Sequence, residues 1–585
     1  MSKAQAIKFE RVSDVPDSVV SQADMSWNHT GSWRYLKPSY ENKTPPCNHG
    51  CPAGNDVEGL LALIGQERPD EAWRLLVEEN PFPSVCGRVC FHPCETACNR
   101  GGFDRPVAIN AMERFAAEHA APDEVPRPLR EPSGKRVHIL GAGPSGLSAA
   151  YHLARLGHDV VVFESAEEAG GLLRYGIPNY RLPREILARE IERVERLGVL
   201  IHTNTRVGTD LSLEQAGDAD ALFVACGAHR SMRLGMPGED LDNVWTGLEF
   251  LRRVAAGNPP SVGERVAVIG DGNTAIDAAR TARRLGAEVC IYSLLPVREM
   301  AAHEEEIAEA LKEGVAIETH CLASEFSAAS TGRLVLRFDR VKLGPRDEFG
   351  WPHPERLPET AFTAQASQVV VAIGQNVDFS FLPDALHGPR GRVGLDRPVT
   401  VGRARLFAGG DCASNENTVA HAIGAGKKAA LRIDAYLDGG SDEIPARSFI
   451  GATGAVSINR YLVSGKAHRR AKSSNGVVSF DKINTNYFTE ASRPAIRQEA
   501  VRERLADFRE VEQTITYEQA TAEASRCFHC GVCTMCDTCL IFCPDLAITR
   551  RSNGSAGYTI DFDYCKGCGV CVHECPRNAM SIAEE

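Results

Sequence analysis

The residues of this chain with the clearest potential for chemistry are its cysteines, because sixteen of the twenty lie near the two ends at regular spacings. Two segments, from Cys533 to Cys543 and from Cys565 to Cys575, each follow the pattern C-x₂-C-x₂-C-x₃-C-P. Three thiolates at this spacing wrap one [4Fe–4S] cluster, and the fourth thiolate binds a second cluster. The pattern therefore predicts a pair of clusters that carry electrons.

This C-terminal pattern is that of bacterial two-cluster ferredoxins, in which the two segments exchange their last ligands. A zinc site or a disulfide framework is the alternative, but two tandem copies closed by Cys-Pro favour clusters. The predicted ligand groups are Cys533, Cys536, Cys539 and Cys575 for one cluster and Cys565, Cys568, Cys571 and Cys543 for the other.

The composition is that of a large soluble protein, with 43% hydrophobic and 24% charged residues in a chain of 585. This length favours about four domains. The net charge of −12 gives no reason to expect nucleic-acid binding. No apolar run long enough to span a membrane is present, and the first residues lack the apolar core of a signal peptide. Cysteine-rich metal motifs without a secretion signal predict a cytoplasmic protein, where thiols stay reduced.

An internal repeat relates residues 136–164, RVHILGAGPSGLSAAYHLARLGHDVVVFE, to residues 265–293, RVAVIGDGNTAIDAARTARRLGAEVCIYS. Each copy predicts a strand, a glycine-rich turn, a helix and a second strand. The turn matches the G-x-G-x-x-G/A fingerprint, in which the pyrophosphate of a dinucleotide meets the helix N-terminus. The predicted cofactor-binding residues of these turns are Gly141, Gly143 and Gly146 in the first copy and Gly270, Gly272, Asn273, Thr274 and Ala275 in the second.

The two copies differ at the end of their second strands, where the first has Glu164 and the second has Ser293. A carboxylate at this position hydrogen-bonds ribose hydroxyls. We therefore expect the first copy to bind the ADP half of FAD, and the second copy to bind a nicotinamide nucleotide.

Four motifs resemble the small (beta) subunit of glutamate synthase and its relatives. Those relatives include the N-terminal part of dihydropyrimidine dehydrogenase and the large subunit of NADH-dependent ferredoxin:NADP oxidoreductase. The resemblance covers roughly residues 40–435. The motifs are CGRVCFHPCETAC at 86–98, GGLLRYGIPNYRLP at 170–183, GDGNTAIDAART at 270–281 and LFAGGDCASNENTVAHAIGAGKKAA at 406–430.

The resemblance implies additional FAD contacts. Gly171 and Leu172 match a segment that lies along the flavin in the family. Gly410 and Asp411 match the aspartate-containing segment that holds the ribityl and phosphate portion, and Thr418 follows in the same motif.

The resemblance also implies the architecture, an α/β core of two Rossmann-like dinucleotide-binding domains with an iron–sulfur domain at each end. The N-terminal domain is expected to be helical and the C-terminal domain to be α+β and ferredoxin-like. The expected boundaries are 1–130 for the helical domain, 131–245 with 370–440 for FAD, 246–369 for NAD(P), 441–520 for a surface linker and 521–585 for the ferredoxin domain.

The N-terminal cysteines imply, by the same resemblance, two further [4Fe–4S] clusters. One would use Cys51, Cys90, Cys94 and Glu113, with Cys86 spare, unless Glu113 is merely a solvated helix carboxylate. The other would use Cys47 and Cys98. Its remaining ligands normally come from an R-C-x₂-C-G motif just upstream, but residues 1–46 contain no cysteine.

That missing motif occurs instead near the C-terminus, where Arg526-Cys527-Phe528-His529-Cys530-Gly531 precedes the ferredoxin pattern. Our hypothesis is that Cys527 and Cys530 fold back and complete the cluster of Cys47 and Cys98. The alternatives are a single N-terminal cluster, or that Cys527 and Cys530 are accessory residues of the ferredoxin domain.

These parts predict an oxidoreductase that exchanges electrons between NAD(P)(H) and about four [4Fe–4S] clusters through FAD. Hydride transfer to flavin needs alignment rather than an acid or base, so no catalytic side chain is predicted. The sequence contains no substrate-activating motif, so a partner polypeptide is expected. The C-terminal motif favours a thiamine-dependent 2-oxoacid:ferredoxin oxidoreductase as partner. The alternatives are a free-standing NAD(P)H:ferredoxin oxidoreductase, a glutamate synthase-type small subunit, and a scaffold subunit without cofactors.

The nucleotide preference is predicted from the segment after the second copy. NADP-dependent relatives carry an Arg-Arg pair there, whose guanidinium groups bind the 2′-phosphate. This chain has Ser293 and Leu294 instead, with one arginine, Arg298, nearby. We therefore expect NAD(H) to be preferred over NADP(H). The alternative is that Arg298 reaches the phosphate and both nucleotides are used.

Overall fold

The computed structural model describes residues 10–14, 29–119, 124–330, 332–347, 350, 352–395, 398–451, 454–463, 476–551 and 557–585. Within these residues, no helix is both long and apolar enough to cross a membrane.

The strands are β1 Leu36–Tyr40, β2 Arg136–Leu140, β3 Asp159–Phe163, β4 Leu200–His202, β5 Ala221–Val224, β6 Arg230–Ser231, β7 Val244–Thr246, β8 Arg265–Ile269, β9 Glu288–Tyr292, β10 Ala316–Glu318, β11 Cys321–Ala328, β12 Leu334–Arg346, β13 Pro352–Arg356, β14 Phe362–Ala366, β15 Gln368–Val371, β16 Gln375–Asn376, β17 Thr400–Val401, β18 Ala404–Ala408, β19 Ile548–Arg550, β20 Tyr558–Ile560 and β21 Met580–Glu584.

The α-helices are α1 Pro46–Gly50, α2 Val57–Gly65, α3 Pro69–Glu79, α4 Pro83–Val89, α5 Pro93–Thr96, α6 Ile109–His119, α7 Pro144–Arg155, α8 Leu172–Tyr175, α9 Arg184–Glu195, α10 Leu213–Ala216, α11 Gly247–Ala255, α12 Asn273–Arg284, α13 Glu304–Lys312, α14 Val419–Gly439, α15 Ile458–Leu462, α16 Val501–Arg504, α17 Tyr517–Ser525, α18 Thr538–Ile541 and α19 Val570–His573.

Two parallel sheets form the centre of the molecule. The first has the order β17-β18-β5-β2-β3-β4 and is parallel except for β17, while the second has the order β10-β9-β8-β15-β7 and is parallel throughout. Their central strands are mostly apolar because both faces of each sheet are buried, as for residues 266–269 of β8. The predicted core of two Rossmann-like units is confirmed.

The boundaries of the second unit differ from the expected 246 and 370. Both positions fall in strands, since β7 ends at Thr246 and β15 spans Gln368–Val371, and these two strands pair in parallel within the second sheet. The unit therefore begins before β7 and ends after β15. A four-stranded antiparallel sheet, β11 to β14, packs against it through Phe338 and Val369.

The N-terminal helices α1 to α6 share one hydrophobic core with the first Rossmann unit. Trp73 and Phe82 are fully buried in this region, and the hydroxyl of Tyr151 on α7 donates to the carbonyl of Val77 at 2.5 Å. The helical part and the FAD-type unit are thus packed together as one body.

The C-terminal part combines the β19–β20 hairpin, α18 and α19 with a strand from the other end of the chain. Strand β1 pairs antiparallel with β21, from Leu36 opposite Glu584 to Tyr40 opposite Met580. The sequence predicts that residues 29–40 belong to the domain 1–130. They belong instead to the ferredoxin-like part, because β1 is the strand that pairs with β21.

Residues 441–520, expected to be a surface linker, include several buried side chains, among them Ile458, Arg504 and Val511. The polar composition predicts an exposed segment. Charged side chains can be buried here because partners in other segments neutralise them, and Arg504 for example pairs with Glu309 at 2.5 Å.

Candidate functional site

A cavity of about 680 Å³ lies between the two Rossmann units and is open to residues from both. The predicted cofactor-binding residues that line it are Gly141, Gly143, Glu164, Gly171, Leu172, Asn273, Thr274, Asp411 and Thr418. The remaining predicted residues of this set, Gly146, Gly410, Gly270, Gly272, Ala275, Ser293 and Arg298, do not line the cavity.

Two glycines explain why the backbone can approach so closely at this cavity. A Cβ atom on Gly146 would lie 1.9 Å from the carbonyl oxygen of Gly141, so only glycine lets α7 pack against the turn after β2. Gly171 has φ of +55°, and a Cβ atom there would lie 2.8 Å from Cα of Gly143. The predicted flavin segment thus rests directly on the predicted pyrophosphate turn.

The polar groups of the first unit suit an FAD. Glu164 is buried, and its two carboxylate oxygens accept hydrogen bonds from the amides of Ala142 and Ala166 at 2.7 and 2.8 Å. Asp411 also faces the cavity, where burial raises its pKa to about 6. Among the described residues, the buried hydroxyl of Ser145 at the start of α7 has no hydrogen-bond partner. An orphaned donor beside a free helix N-terminus fits a phosphate group.

The second unit has a feature that the sequence did not predict. Ser293 is fully buried, and its hydroxyl bonds inward to the carbonyl of Leu295 at 2.8 Å and to the carboxylate of Asp271 at 3.3 Å. Asp271, the middle residue of the G-x-G turn, is thereby held at the end of β9. Arg298 points to solvent and pairs with Glu299 at 3.6 Å.

The eight predicted ferredoxin ligands fall into the two predicted groups. Cys533, Cys536, Cys539 and Cys575 line one small cavity, and Cys565, Cys568, Cys571 and Cys543 line another. Cys536 and Cys568 are the exposed members of these groups. The hydroxyl of Tyr40 lies 3.1 Å from Sγ of Cys539, a contact that no motif indicated.

Four cysteines from opposite ends of the chain line a third small cavity. They are Cys47, Cys98, Cys527 and Cys530, and the cavity volume of about 20 Å³ equals that of each of the two ferredoxin cavities. The amide of Asn99 donates to Sγ of Cys530 at 3.4 Å. Residues 527–530 therefore lie close enough to Cys47 and Cys98 to take the place of the motif that is missing upstream of Cys47.

The fourth group contains Cys51, Cys90, Cys94 and Glu113. Burial raises the pKa values of the Cys90 and Cys94 thiols, and the nearby Cys51 and Glu113 raise them further. Glu113 is buried rather than solvated, and its carboxylate accepts hydrogen bonds from Asn55 at 3.0 Å and Asn80 at 3.3 Å. Burial raises the pKa of Glu113 to about 8.

Cys86 lies at the edge of this fourth group, where the amide of Asn80 donates to its Sγ at 3.4 Å. Within the described part of the chain, no three His, Cys, Asp or Glu side chains converge closely enough for a single metal ion. Wider thiol groups that enclose a small cavity fit a cluster better than a zinc ion, which needs four ligands at about 2.0–2.3 Å.

The cavity between the Rossmann units also reaches the cysteine-rich helices. Val89 and Phe91, the two neighbours of Cys90, line it together with Glu164 and Thr274. The sequence motifs singled out neither Val89 nor Phe91. They also did not indicate Arg181 and Asp277, which line the same cavity and form a salt bridge across the two units at 2.9 Å.

A flavin- and nucleotide-linked electron-transfer protein is the class that this fold and these sites define. The chain belongs to the pyridine nucleotide-disulphide oxidoreductase family, which it matches over residues 135–429. Residues 39–125 match dihydropyrimidine dehydrogenase domain II, 4Fe-4S cluster, and residues 532–579 match a 4Fe-4S dicluster domain. These family matches confirm the predicted FAD, NAD(P) and [4Fe–4S] cofactors.

Three relatives cover most of the chain. NADP(+)-dependent formate dehydrogenase subunit beta of Moorella thermoacetica is 37% identical over 524 residues, or 83% of this chain and 70% of that protein. Glutamate synthase [NADPH] small chain of Escherichia coli is 32% identical, over 67% of this chain and 89% of that protein. NAD-dependent dihydropyrimidine dehydrogenase subunit PreT of the same organism is 31% identical, over 67% and 91%. The resemblance to the glutamate synthase small subunit is confirmed.

Proposed function

We propose that this chain is a subunit that exchanges electrons between NAD(P)(H) and a partner enzyme through one FAD and four [4Fe–4S] clusters. The observation that carries the proposal is the lining of the cavity between the Rossmann units. Val89 and Phe91, which flank Cys90, share that cavity with Glu164 and Thr274. A flavin bound there would be adjacent to the fourth group, that of Cys51, Cys90, Cys94 and Glu113.

When bound, FAD accepts a hydride and releases single electrons, which the clusters carry one at a time. The four cysteine groups follow one another through short stretches of chain. Cys51 and Cys47 are four residues apart, so their Cα atoms are at most about 14 Å apart, and Cys530 and Cys533 are at most about 11 Å apart. The last two groups exchange Cys543 and Cys575 and include the exposed Cys568. This succession supports a path from the flavin cavity to the surface.

The ligands proposed for the clusters are those of the four groups: Cys51, Cys90, Cys94 and Glu113; Cys47, Cys98, Cys527 and Cys530; Cys533, Cys536, Cys539 and Cys575; and Cys565, Cys568, Cys571 and Cys543. The burial of Glu113 beside Cys51 and Cys90 supports its inclusion.

The proposed nucleotide is NAD(H), although two of the three relatives described above are named for NADP or NADPH and one for NAD. Asp271 supports the proposal, because its carboxylate lies beside Ser293. Ser293 occupies the position whose side chain hydrogen-bonds the ribose hydroxyls in this type of fold. A carboxylate there accepts from a free 2′-hydroxyl and repels a 2′-phosphate. Comparing kcat/KM for NADH and NADPH with an artificial acceptor tests this, and a ratio that favours NADPH contradicts it.

The proposed partner is a dehydrogenase that handles low-potential electrons, with a thiamine-dependent 2-oxoacid oxidoreductase as first candidate because of the ferredoxin pattern. A formate dehydrogenase is the second candidate, favoured by the relative with 37% identity. The cytoplasm remains the expected location, since the ligand thiols must stay reduced.

Anaerobic purification from the native source tests the function. We expect a visible flavin absorbance that NADH bleaches, about sixteen irons per chain at four per cluster, and a co-purifying subunit. The subunit is then assayed with pyruvate and coenzyme A or with formate, which separates the two partner candidates. A purified protein without flavin would favour the scaffold alternative, and a flavin that no nicotinamide nucleotide bleaches would contradict the proposed function. About eight irons would mean that the N-terminal clusters are absent.

A further inference from the structure

Residues 497–513 form a hairpin-shaped loop, which we call the 497–513 hairpin. Its two arms pair in antiparallel fashion, because the amide of Glu499 donates to the carbonyl of Val511 at 2.9 Å and that of Gln513 donates to the carbonyl of Arg497 at 2.9 Å. Helix α16 lies between the arms and ends at Arg504. None of the functions assigned above uses this segment.

Arg504 inserts from the hairpin into the nucleotide-binding unit. The side chain is only 1% exposed, and its guanidinium pairs with Glu309 of α13 at 2.5 Å and with Glu313 at 3.4 Å. A buried guanidinium is tolerated only with charged partners in good geometry. The hairpin is therefore joined to α13 by a specific ionic contact.

A continuous series of ion pairs leads from that contact to the cavity between the Rossmann units. Glu313 pairs with Arg280 at 2.9 Å, Arg280 with Glu306 at 2.6 Å, and Glu306 with Arg181 at 2.9 Å. Arg181 in turn donates to both carboxylate oxygens of Asp277 at 3.0 and 2.9 Å. Arg181 and Asp277 both line the cavity, one from each unit.

The other end of the hairpin is attached to the cysteine-rich helices and to the FAD-type unit. Glu510 pairs with Arg88 of α4 at 2.8 Å and with Arg114 of α6 at 3.1 Å. The amide of Val511 donates to the carbonyl of Tyr180 at 3.1 Å. One short segment thus contacts the nucleotide-binding unit, the FAD-type unit and the helical domain at once.

We propose that the 497–513 hairpin is a positioning element that holds the nucleotide-binding unit at a fixed orientation to the FAD-type unit, with Arg504 as its positioning residue. The inference rests on the proposed use of both cofactors, since hydride transfer requires the two reacting rings to be aligned. The hairpin makes no contact with the cavity itself and acts through α12 and α13.

The test compares Arg504→Ala and Arg504→Lys with Arg509→Ala in the full-length protein carrying its cofactors. Arg509 is the matched control, because it lies on the same hairpin but is exposed, and among the described residues its guanidinium forms a salt bridge with Asp507 alone. Two measurements are made at equal FAD and iron content: the rate of flavin bleaching by NADH on anaerobic mixing, and amide hydrogen exchange in α12 and α13.

For Arg504→Ala we expect bleaching to slow by roughly 10- to 100-fold, the scale of a small misalignment far from the reacting atoms. Exchange in α12 and α13 should rise, Arg504→Lys should recover part of both effects, and Arg509→Ala should match the wild type. Unchanged bleaching in Arg504→Ala with normal cofactor content would overturn the proposal, and so would slower bleaching without any change in exchange.

If Arg504→Ala fails to retain its cofactors, Glu510→Gln provides the second variant, since Glu510 is partly exposed and anchors the opposite end of the hairpin. Glu510→Gln should raise amide hydrogen exchange in the hairpin and slow flavin bleaching less than Arg504→Ala does. Wild-type values of both the exchange and the bleaching rate would overturn the proposal. If NADH does not bleach the wild-type protein, the proposed function fails, whereas the exchange comparison still tests whether the hairpin fixes α12 and α13.

Discussion

The hydroxyl of Tyr40 lies 3.1 Å from Sγ of Cys539, although 499 positions separate the two residues. The contact exists because β1 pairs with β21 and thereby becomes part of the ferredoxin-like unit. The first strand among the described residues thus contacts a proposed cluster ligand that lies near the C-terminus. Hydrogen bonds to cluster sulfurs are one of the determinants of reduction potential.

Replacing Tyr40 by phenylalanine should lower the reduction potential of one ferredoxin cluster. A hydrogen bond to the sulfur stabilises the more negative, reduced form, and losing about 1 kcal/mol corresponds to about 40 mV for one electron. The measurement is a redox titration followed by EPR. Tyr35→Phe is the control, because Tyr35 bonds to Glu584 and not to a cysteine. A potential that stays unchanged would show that the hydroxyl does not bond to the bound ligand.

The double variant Cys527→Ala/Cys530→Ala should lose about four of about sixteen irons and one EPR signal, because it removes half of the ligands of one proposed cluster. The matched control is Cys290→Ala/Cys321→Ala, which removes two cysteines from β9 and β11. An iron content equal to that of the wild type would contradict the completion of the Cys47/Cys98 group by residues 527–530.

Glu113→Ala and Cys86→Ala form a pair that identifies the fourth ligand beside Cys51, Cys90 and Cys94. Both side chains are buried and both accept from Asn80. We expect Glu113→Ala to lose about four irons, one cluster, and Cys86→Ala to retain the full content. The reverse result would assign Cys86 as the ligand and leave Glu113 as a buried hydrogen-bond acceptor.

Asp271→Gly should shift the nucleotide preference from NADH toward NADPH. Losing one hydrogen bond to a charged group costs about 1.5–3 kcal/mol, so KM for NADH should rise about tenfold or more, and removal of the charge should lower KM for NADPH. Steady-state kinetics with both nucleotides provide the measurement. Arg298→Ala is the companion variant, and a loss of NADPH use in that variant alone would favour the alternative that Arg298 reaches the 2′-phosphate.

The features that could be predicted from the sequence are those that depend on local spacing. The two C-x₂-C-x₂-C-x₃-C-P segments predicted the grouping of eight thiols, and the repeated G-x-G turns predicted two βαβ units in the correct places. Such motifs are readable because each consists of neighbouring residues whose spacing sets the local backbone. The family resemblance added the fourth cysteine group with Glu113.

The contacts between distant segments could be seen only in the tertiary structure. It brings Cys527 and Cys530 to Cys47 and Cys98, pairs β1 with β21, and buries Arg504 of an apparent linker against Glu309. These contacts join residues that are at least 195 positions apart, and each is stabilised by partners that its own segment does not contain. A polar stretch can therefore be buried, and a cysteine motif can lie beside distant cysteines, because burial and side-chain contact depend on proximity in space and not on order along the chain.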